Sequence, residues 1–347
     1  SKQKLYETYG LRPFAASLLA RDTYYMHLVL EIGQQQPQVM YPSPTMTEAD
    51  VRSEIEAALR RAAPGFLKTV GLWTPSEEPV MNPFGGQSPP VSTWKMLRQQ
   101  LSQNYTVKEA DLRSGRVAGD IDVLLIVAPS NFTDRERFAI DQFLMRGGSV
   151  IIATSNYMLA PLQLGGGLMM QPLQKGVEDL LAHYGVKLGA GMVMDPQNEP
   201  FPMQIPRRVG NVNIVEIQQI NYPFFVDVRP DGMTKESPIV AGLPAITLHW
   251  ASPLEVDAAK NQGRKVVTLL QSTKASWIRD SAAVQPDLQK YPQFGFPVEG
   301  EQAARPLAVS VRGVFESYFK DKPSPFQENP NATPTPTPDP NAITQPK

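Results

Sequence analysis

The chain has 347 residues, of which 33 are Lys or Arg and 34 are Asp or Glu, for a net charge of -1. So even a balance gives no support to a nucleic-acid binder, and 41% hydrophobic against 19% charged residues excludes a charge-driven disordered chain. Cysteine is absent, which removes disulfides, thiolate metal sites and cysteine nucleophiles together.

The length suits one large or two to three smaller domains. Residues 1–66 read as a separate α+β segment. Residues 24–31 and 38–41, joined through Gly33 and polar Gln residues, predict a β-hairpin. Thr47-Glu48-Ala49-Asp50 then caps a predicted helix with Val51, Ile55, Ala58 and Leu59 inward. Residues 67–322 read as an α/β domain. Residues 69–73 form a short apolar strand, and Ser92 or Thr93 caps a helix carrying Trp94, Leu97 and Leu101. Residues 121–128 are a near-continuous β-branched and Leu run, the pattern of a strand covered on both faces. Thr133 with Glu136 three residues later makes a capping box, Ile140, Phe143 and Leu144 give the apolar stripe, and Gly147-Gly148 stops the helix before a strand at 149–154. This β-α-β cycle predicts a parallel sheet.

Residues 157–173 are the most apolar stretch, but Pro161, Gln163, Gly165 to Gly167, Gln171 and Pro172 interrupt it, so it reads as a loop and not a membrane span. Pro172 then opens a predicted helix with Leu173, Val177, Leu180, Leu181 and Tyr184, stopped by Gly185. Further on the texture turns β-rich, with predicted strands at 212–217, 224–228, 245–250, 266–270 and 307–311. Proline, 34 of 347 or about 10% and roughly twice ordinary usage, accumulates in residues 323–347. The alternation from Thr333 to Pro340 there favours solvated polyproline II, a stiff disordered linker. The first residues show no apolar signal-peptide core.

Candidate chemistry is sparse. His27, His183 and His249 are scattered with no short mutual spacing, so neither a metal nor a cofactor is expected. Glu77-Glu78 and Asp134-Arg135-Glu136 read as solvated or capping charges, and Leu164-Gly165-Gly166-Gly167-Leu168 matches no phosphate-binding motif. Ligands in open α/β sheets bind beyond the carboxyl ends of strands, which singles out Ser130 and Asn131 after one strand and Ser155 and Asn156 after the next, with Tyr157 as an amphipathic wall. That combination suits a polar or saccharide-like ligand. Ser155 lacks the GxSxG setting of a hydrolase elbow.

Asp122-Val123-Leu124-Leu125-Ile126-Val127-Ala128-Pro129, Ile140-Asp141-Gln142-Phe143-Leu144-Met145-Arg146-Gly147-Gly148-Ser149, and Leu181-Ala182-His183-Tyr184-Gly185-Val186 with Val193-Met194-Asp195-Pro196 together resemble the GldG-like auxiliary family of ABC transporters. Tyr9-Gly10-Leu11 with Pro13, Lys68-Thr69-Val70-Gly71-Leu72, Ser237-Pro238-Ile239-Val240-Ala241-Gly242-Leu243 and Leu307-Ala308-Val309-Ser310-Val311-Arg312-Gly313 extend the likeness over about residues 5 to 325. The resemblance implies a parallel-sheet core like that of class I glutamine amidotransferases (flavodoxin-like), with a β-rich C-terminal half. Ser155 or Asn156 would stand in the nucleophile's place. With no cysteine in the chain, amidotransferase chemistry is closed.

It further implies a non-enzymatic domain on the extracytoplasmic face, a permease and an ATPase as partners, and a membrane anchor through flanking segments beyond this excised piece. A preceding thioredoxin-like domain belongs to the same expectation. Two rivals stand beside it. One is a hydrolase-like or trehalose-utilisation-like enzyme using Ser155 with His183 or His249. The other is a structural scaffold whose cleft is filled by its own side chains.

Overall fold

The computed structural model describes residues 67–76, 94–161, 168–209 and 212–326 without a break, with separate stretches of the first 55 residues and of residues 80–88. Spatial contact divides the chain into one unit of residues 1–71, 93–109 and 119–123 and another of residues 72–92, 110–118 and 124–347.

In the first unit a helix, Lys2–Tyr9, precedes two small antiparallel ribbons, Phe14–Ala15 with Thr23–Tyr24 and Leu28–Leu30 with Gln38–Met40. The second ribbon is the predicted hairpin in shortened form, pairing Leu28 with Met40; Gly33 lies outside the described residues. Of the predicted helix that follows, Glu48, Val51, Arg52 and Ile55 are helical, with Ile55 exposed where the pattern turns it inward. Thr47, Ala58 and Leu59 lie outside the described residues.

Counting from the main sheet, β1 (Thr69–Trp73), β2 (Thr106–Glu109), β3 (Val123–Val127) and β4 (Ser149–Ala153) lie in the order β4-β3-β1-β2. Thr106 N donates to Lys68 O and Ala110 N to Leu72 O, equal steps in one direction, so β1 and β2 run parallel. Asp122 N bonds Thr69 O where β3 and β1 begin, and Ala128 N bonds Ala153 O where β3 and β4 end, so the parallel sense holds across all four strands. The chain starts in the middle of the sheet and winds outward both ways.

Helix α1 (Lys95–Ser102) connects β1 to β2, and α2 (Asp134–Met145) connects β3 to β4. Both parts of the capping box on α2 form, between Thr133 and Glu136, and Gly147 leaves the helix at φ +86°. On α1, Trp94 is the N-cap and makes no side-chain cap bond; Ser92 and Thr93 lie outside the described residues.

The segment expected as a loop is instead an antiparallel pair, β5 (Tyr157–Pro161) with β6 (Leu168–Pro172), in register from Tyr157 with Pro172 to Pro161 with Leu168. Both prolines sit at strand ends of a two-stranded ribbon, where a missing N–H costs little. Gly165 to Gly167 lie outside the described residues. Because Pro172 closes β6, the predicted 173–184 helix shrinks to α3 (Glu178–His183). Gly176, at φ +74°, turns the chain just before it, and Gly185, at φ +83°, stops it as expected.

The β-rich half consists of antiparallel pairs. These are β7 (Val186–Leu188) with β13 (Leu254–Val256), β8 (Met192–Met194) with β15 (Trp277–Arg279), and β9 (Phe201–Val209) with β10 (Val212–Ile220). Completing the set are β11 (Phe225–Val228) with β12 (Ile246–His249) and β14 (Lys265–Gln271) with β16 (Pro306–Arg312). Strand β8 is buried on both faces: Met192 and Met194 join Tyr222, Phe224, Trp277, Phe294 and Phe296, while Val193 joins Val226, Val228, Leu269 and Leu270. The two-residue period of a strand sorts its side chains between these two cores. Packing continues through Phe326, whose ring stands 5.8 Å from Phe138; residues 327–347 are outside the described part. Among the described residues no helix is long and apolar enough to cross a membrane.

Candidate functional site

The sequence directs attention to the carboxyl ends of β3 and β4. After β3 the backbone passes through Ala128 at φ +47° and Asn131 at φ +52°. Asn tolerates this left-handed region; Ala at such a φ stores about 1 kcal/mol or more. Trp250, at φ +49°, is the third non-glycine residue in that region among those described. Its carbonyl accepts the Ser155 hydroxyl at 3.3 Å, so all three of these positive-φ residues lie at the two strand ends or bond directly to them.

Ser155 and Asn156 are engaged by their own chain. Ser155 Oγ shares a 3.3 Å hydrogen bond with Ser252 Oγ, and Ser252 Oγ accepts the Asn156 amide at 3.1 Å. Asn156 Nδ2 donates to Gly189 O at 2.6 Å, and Asn156 O accepts from Leu173 N at 2.8 Å. The Tyr157 hydroxyl donates to Asp280 at 3.0 Å, and burial, followed by that hydrogen bond and then the Asp280 charge, pushes its pKa up.

A residue that the sequence reading passed over organises the crevice. Lys175, buried at 4% exposure, places its ammonium 3.1 Å from Asn156 Oδ1 and 3.2 Å from Glu178 Oε1. Burial pushes the Glu178 carboxyl up, but backbone amides at the start of α3 and Lys175 outweigh it and hold its pKa below the ordinary value. The same segment reaches the other strand end, where Asn131 N donates to Gln174 O at 2.7 Å and Phe132 N to Lys175 O at 3.1 Å. Residues 173–176 therefore lie between the ends of β3 and β4 and bond to both. Nothing in a run such as Leu173-Gln174-Lys175-Gly176 announces a buried cation. Within the described residues the Ser130 hydroxyl and the Asn131 side chain carry no hydrogen bond, and Asn131 is exposed.

The Ser155 pairing needed for a hydrolase is not formed. His183 Nε2 pairs with Glu316 O at 2.9 Å, and His249 lies 3.9 Å from Glu199 with its ring against Phe225. Among the described residues no group of three or more His, Cys, Asp or Glu is placed to hold a metal ion.

A four-stranded parallel sheet, a β-rich half built of small antiparallel pairs, and strand ends bridged by the chain's own segment define a mixed α/β protein without a formed serine–histidine pair at that place. A profile of the family described as an ABC-type uncharacterized transport system matches residues 68–344, and the chain belongs to that family. Among curated proteins it is similar to one from Borreliella burgdorferi described as an uncharacterized protein, 23% identical over 222 residues. That match covers 62% of this chain and 41% of the relative, so the chain spans well under half of that protein's length. No solved structure matches.

Proposed function

We propose that this chain is a non-enzymatic, GldG-like auxiliary domain of an ABC-type transport system, held at the extracytoplasmic face by a membrane anchor and docking against the permease, which an ATPase drives. The observation that carries this reading is the convergence of three non-glycine residues at positive φ, Ala128 and Trp250 strained there, on strand ends whose Ser155 and Asn156 are spent on internal bonds. Such a surface is preorganised for recognition and has no free nucleophile paired with a base. The strand order β4-β3-β1-β2 is that of flavodoxin-like sheets and supports the amidotransferase-like core.

This chain itself holds no cysteine, so labelling of a Cys placed in it is read against the unsubstituted full-length protein. Asn131→Cys in the full-length protein should react with a membrane-impermeant maleimide on intact cells, and a photo-crosslinker at the same position should capture the permease. Labelling only after lysis, or crosslinks confined to cytoplasmic proteins, would sink the proposal.

A second reading keeps Ser130, Asn131, Ser155, Asn156 and Tyr157 as a site for a polar or saccharide ligand, favoured by the unshared groups of Ser130 and Asn131. Calorimetric titration of glycans against the wild type and a Ser155→Ala/Asn156→Ala variant separates it from docking: equal binding, or none, counts against it.

A further inference from the structure

A cavity of about 310 Å³ opens in the β-rich half, lined by residues that the strand-end site does not use. Asp195 follows β8, Gln197 stands two residues on, Asp227 and Val228 end β11, Asp231 and Gly232 follow them, and Gln271, Ser272, Thr273 and Lys274 leave the end of β14. The volume lies at the lower end of the range for small-molecule sites.

The floor is built by hydrogen bonds. Asp195, fully buried, accepts Thr273 N at 2.7 Å, Thr273 Oγ1 at 2.9 Å and Gln197 N at 2.8 Å. Gln197 Nε2 donates to Asp227 O at 2.6 Å, and Arg229 holds Asp227 Oδ2 through its Nε at 2.7 Å. These bonds fix Asp227, which is 8% exposed. Within the described residues its other oxygen, Oδ1, has no hydrogen-bond partner. Around it, again within those residues, Asp231 Oδ2, Gln197 Oε1, the Gln271 amide and the Lys274 ammonium are also unshared.

The charges select among ligands. Three carboxylates line the cavity against two cations, Arg229 and Lys274, and Arg229 is already paired with Asp227. An added phosphate or carboxylate meets uncompensated Asp231 and Asp195; a divalent cation meets Lys274 and Arg229. The lining has no large apolar side chain to hold a hydrophobic ligand. Separated acceptors and donors around a small, nearly balanced space match hydroxyl groups, each of which donates and accepts. We propose that this cavity binds a neutral polyhydroxylated molecule, a mono- or disaccharide, with Asp227 and Asp231 accepting from its hydroxyls and Lys274 and Gln271 donating to them. The site is independent of the strand ends, so it stands or falls separately from the docking reading.

Saturation-transfer NMR on the 347-residue chain, with glucose, galactose, N-acetylglucosamine and maltose as neutral probes and glucose 6-phosphate and glucosamine as charged ones, tests this. At least one neutral sugar should receive saturation. Asp231→Asn/Lys274→Ala, which alters two exposed side chains and leaves the floor intact, should weaken that sugar about tenfold, the loss expected for a good hydrogen bond to ligand. Ser155→Ala/Asn156→Ala should leave it unchanged. No signal from any neutral sugar, equal binding by the cavity variant, loss only in the strand-end variant, or preference for a charged sugar would overturn the proposal.

Discussion

The Ser317 hydroxyl donates a 2.7 Å hydrogen bond to the Asp141 carboxylate across 176 residues of sequence. Asp141 is fully buried on α2, and it also accepts the Tyr184 hydroxyl, the Tyr318 amide and, at 3.0 Å, the Gln142 Nε2 of its own helix. One carboxylate thus ties the α/β unit's helix to the end of α3 and to the chain that leads into the proline-rich tail. Burial first, then the Asp141 charge, pushes the Tyr184 hydroxyl well above its ordinary pKa, so it remains a donor at physiological pH.

Removing that acceptor strands the Ser317, Tyr184 and Tyr318 donors and takes one partner from Gln142 Nε2. Asp141→Ala should lower the urea unfolding free energy by about 3 kcal/mol or more, at about 1 to 3 kcal/mol for each stranded group with partial relief by water. Ser317→Ala should cost less, about 1 to 2 kcal/mol, because Asp141 keeps three partners and only the Phe319 amide loses its acceptor. Equal effects from the two variants would refute the three-way tie.

Lys175→Met keeps the length and apolar stem but deletes the ammonium that Asn156 and Glu178 share. A loss of about 1 to 3 kcal/mol is expected, since burial makes this pair worth more than a surface ion pair. In hydrogen exchange, the Leu173 and Asn131 amides should lose protection first. Unchanged protection there would mean that residues 173–176 do not depend on Lys175 to bridge the strand ends.

Gly176 has φ +74°, and a Cβ placed on it would stand 2.2 Å from the Phe132 carbonyl oxygen. Gly176→Ala therefore carries a backbone cost of about 1 to 2 kcal/mol plus a clash that only main-chain movement relieves. Gly147→Ala, with φ +86° but nothing within 4 Å of the added carbon, should cost the conformational part alone. The difference between the two unfolding free energies measures the close approach; its absence would contradict the packing of Gly176 on Phe132.

Asp195 supplies a pH test. Burial, and after it the Asp227 charge, raises its pKa above the ordinary 3.8 of an aspartate, although three donors pull the other way. A folded-state pKa above the unfolded one means that the folded protein holds the proton more tightly. This contribution is complete below the unfolded pKa and lost as pH rises through the folded value. The stability of the wild type relative to Asp195→Asn should accordingly grow as pH falls from neutrality toward 3.8 in paired urea titrations. A gap that stays constant or narrows on acidification would show the shift to have the opposite sign.

Much of the parallel sheet was legible in the sequence because the interactions that define it are local or periodic. The Thr133–Glu136 box closes within one helical turn, Gly147 and Gly185 take backbone angles that other residues resist, and the apolar runs at β1 and β3 carry their burial in their composition. The segment from Tyr157 to Pro172 misled for the complementary reason: its prolines break a helix or a central strand, yet sit without penalty at the strand ends of a small ribbon. Pro202, beside the start of β9, and Pro206, within it, hid that strand as well.

The candidate site divides along the same line. Composition alone closed thiol chemistry, and the strand pattern singled out Ser130, Asn131, Ser155 and Asn156 as residues at strand ends. Only the tertiary structure decided that Ser155 and Asn156 are spent on Ser252, Gly189 and Lys175, that Asp141 meets Ser317, and that Asp195, Asp227 and Lys274 surround one cavity. Local sequence specifies what a turn or a strand can do for itself; which distant polar groups satisfy one another depends on how loops far apart in the chain are brought together by burial of the two cores.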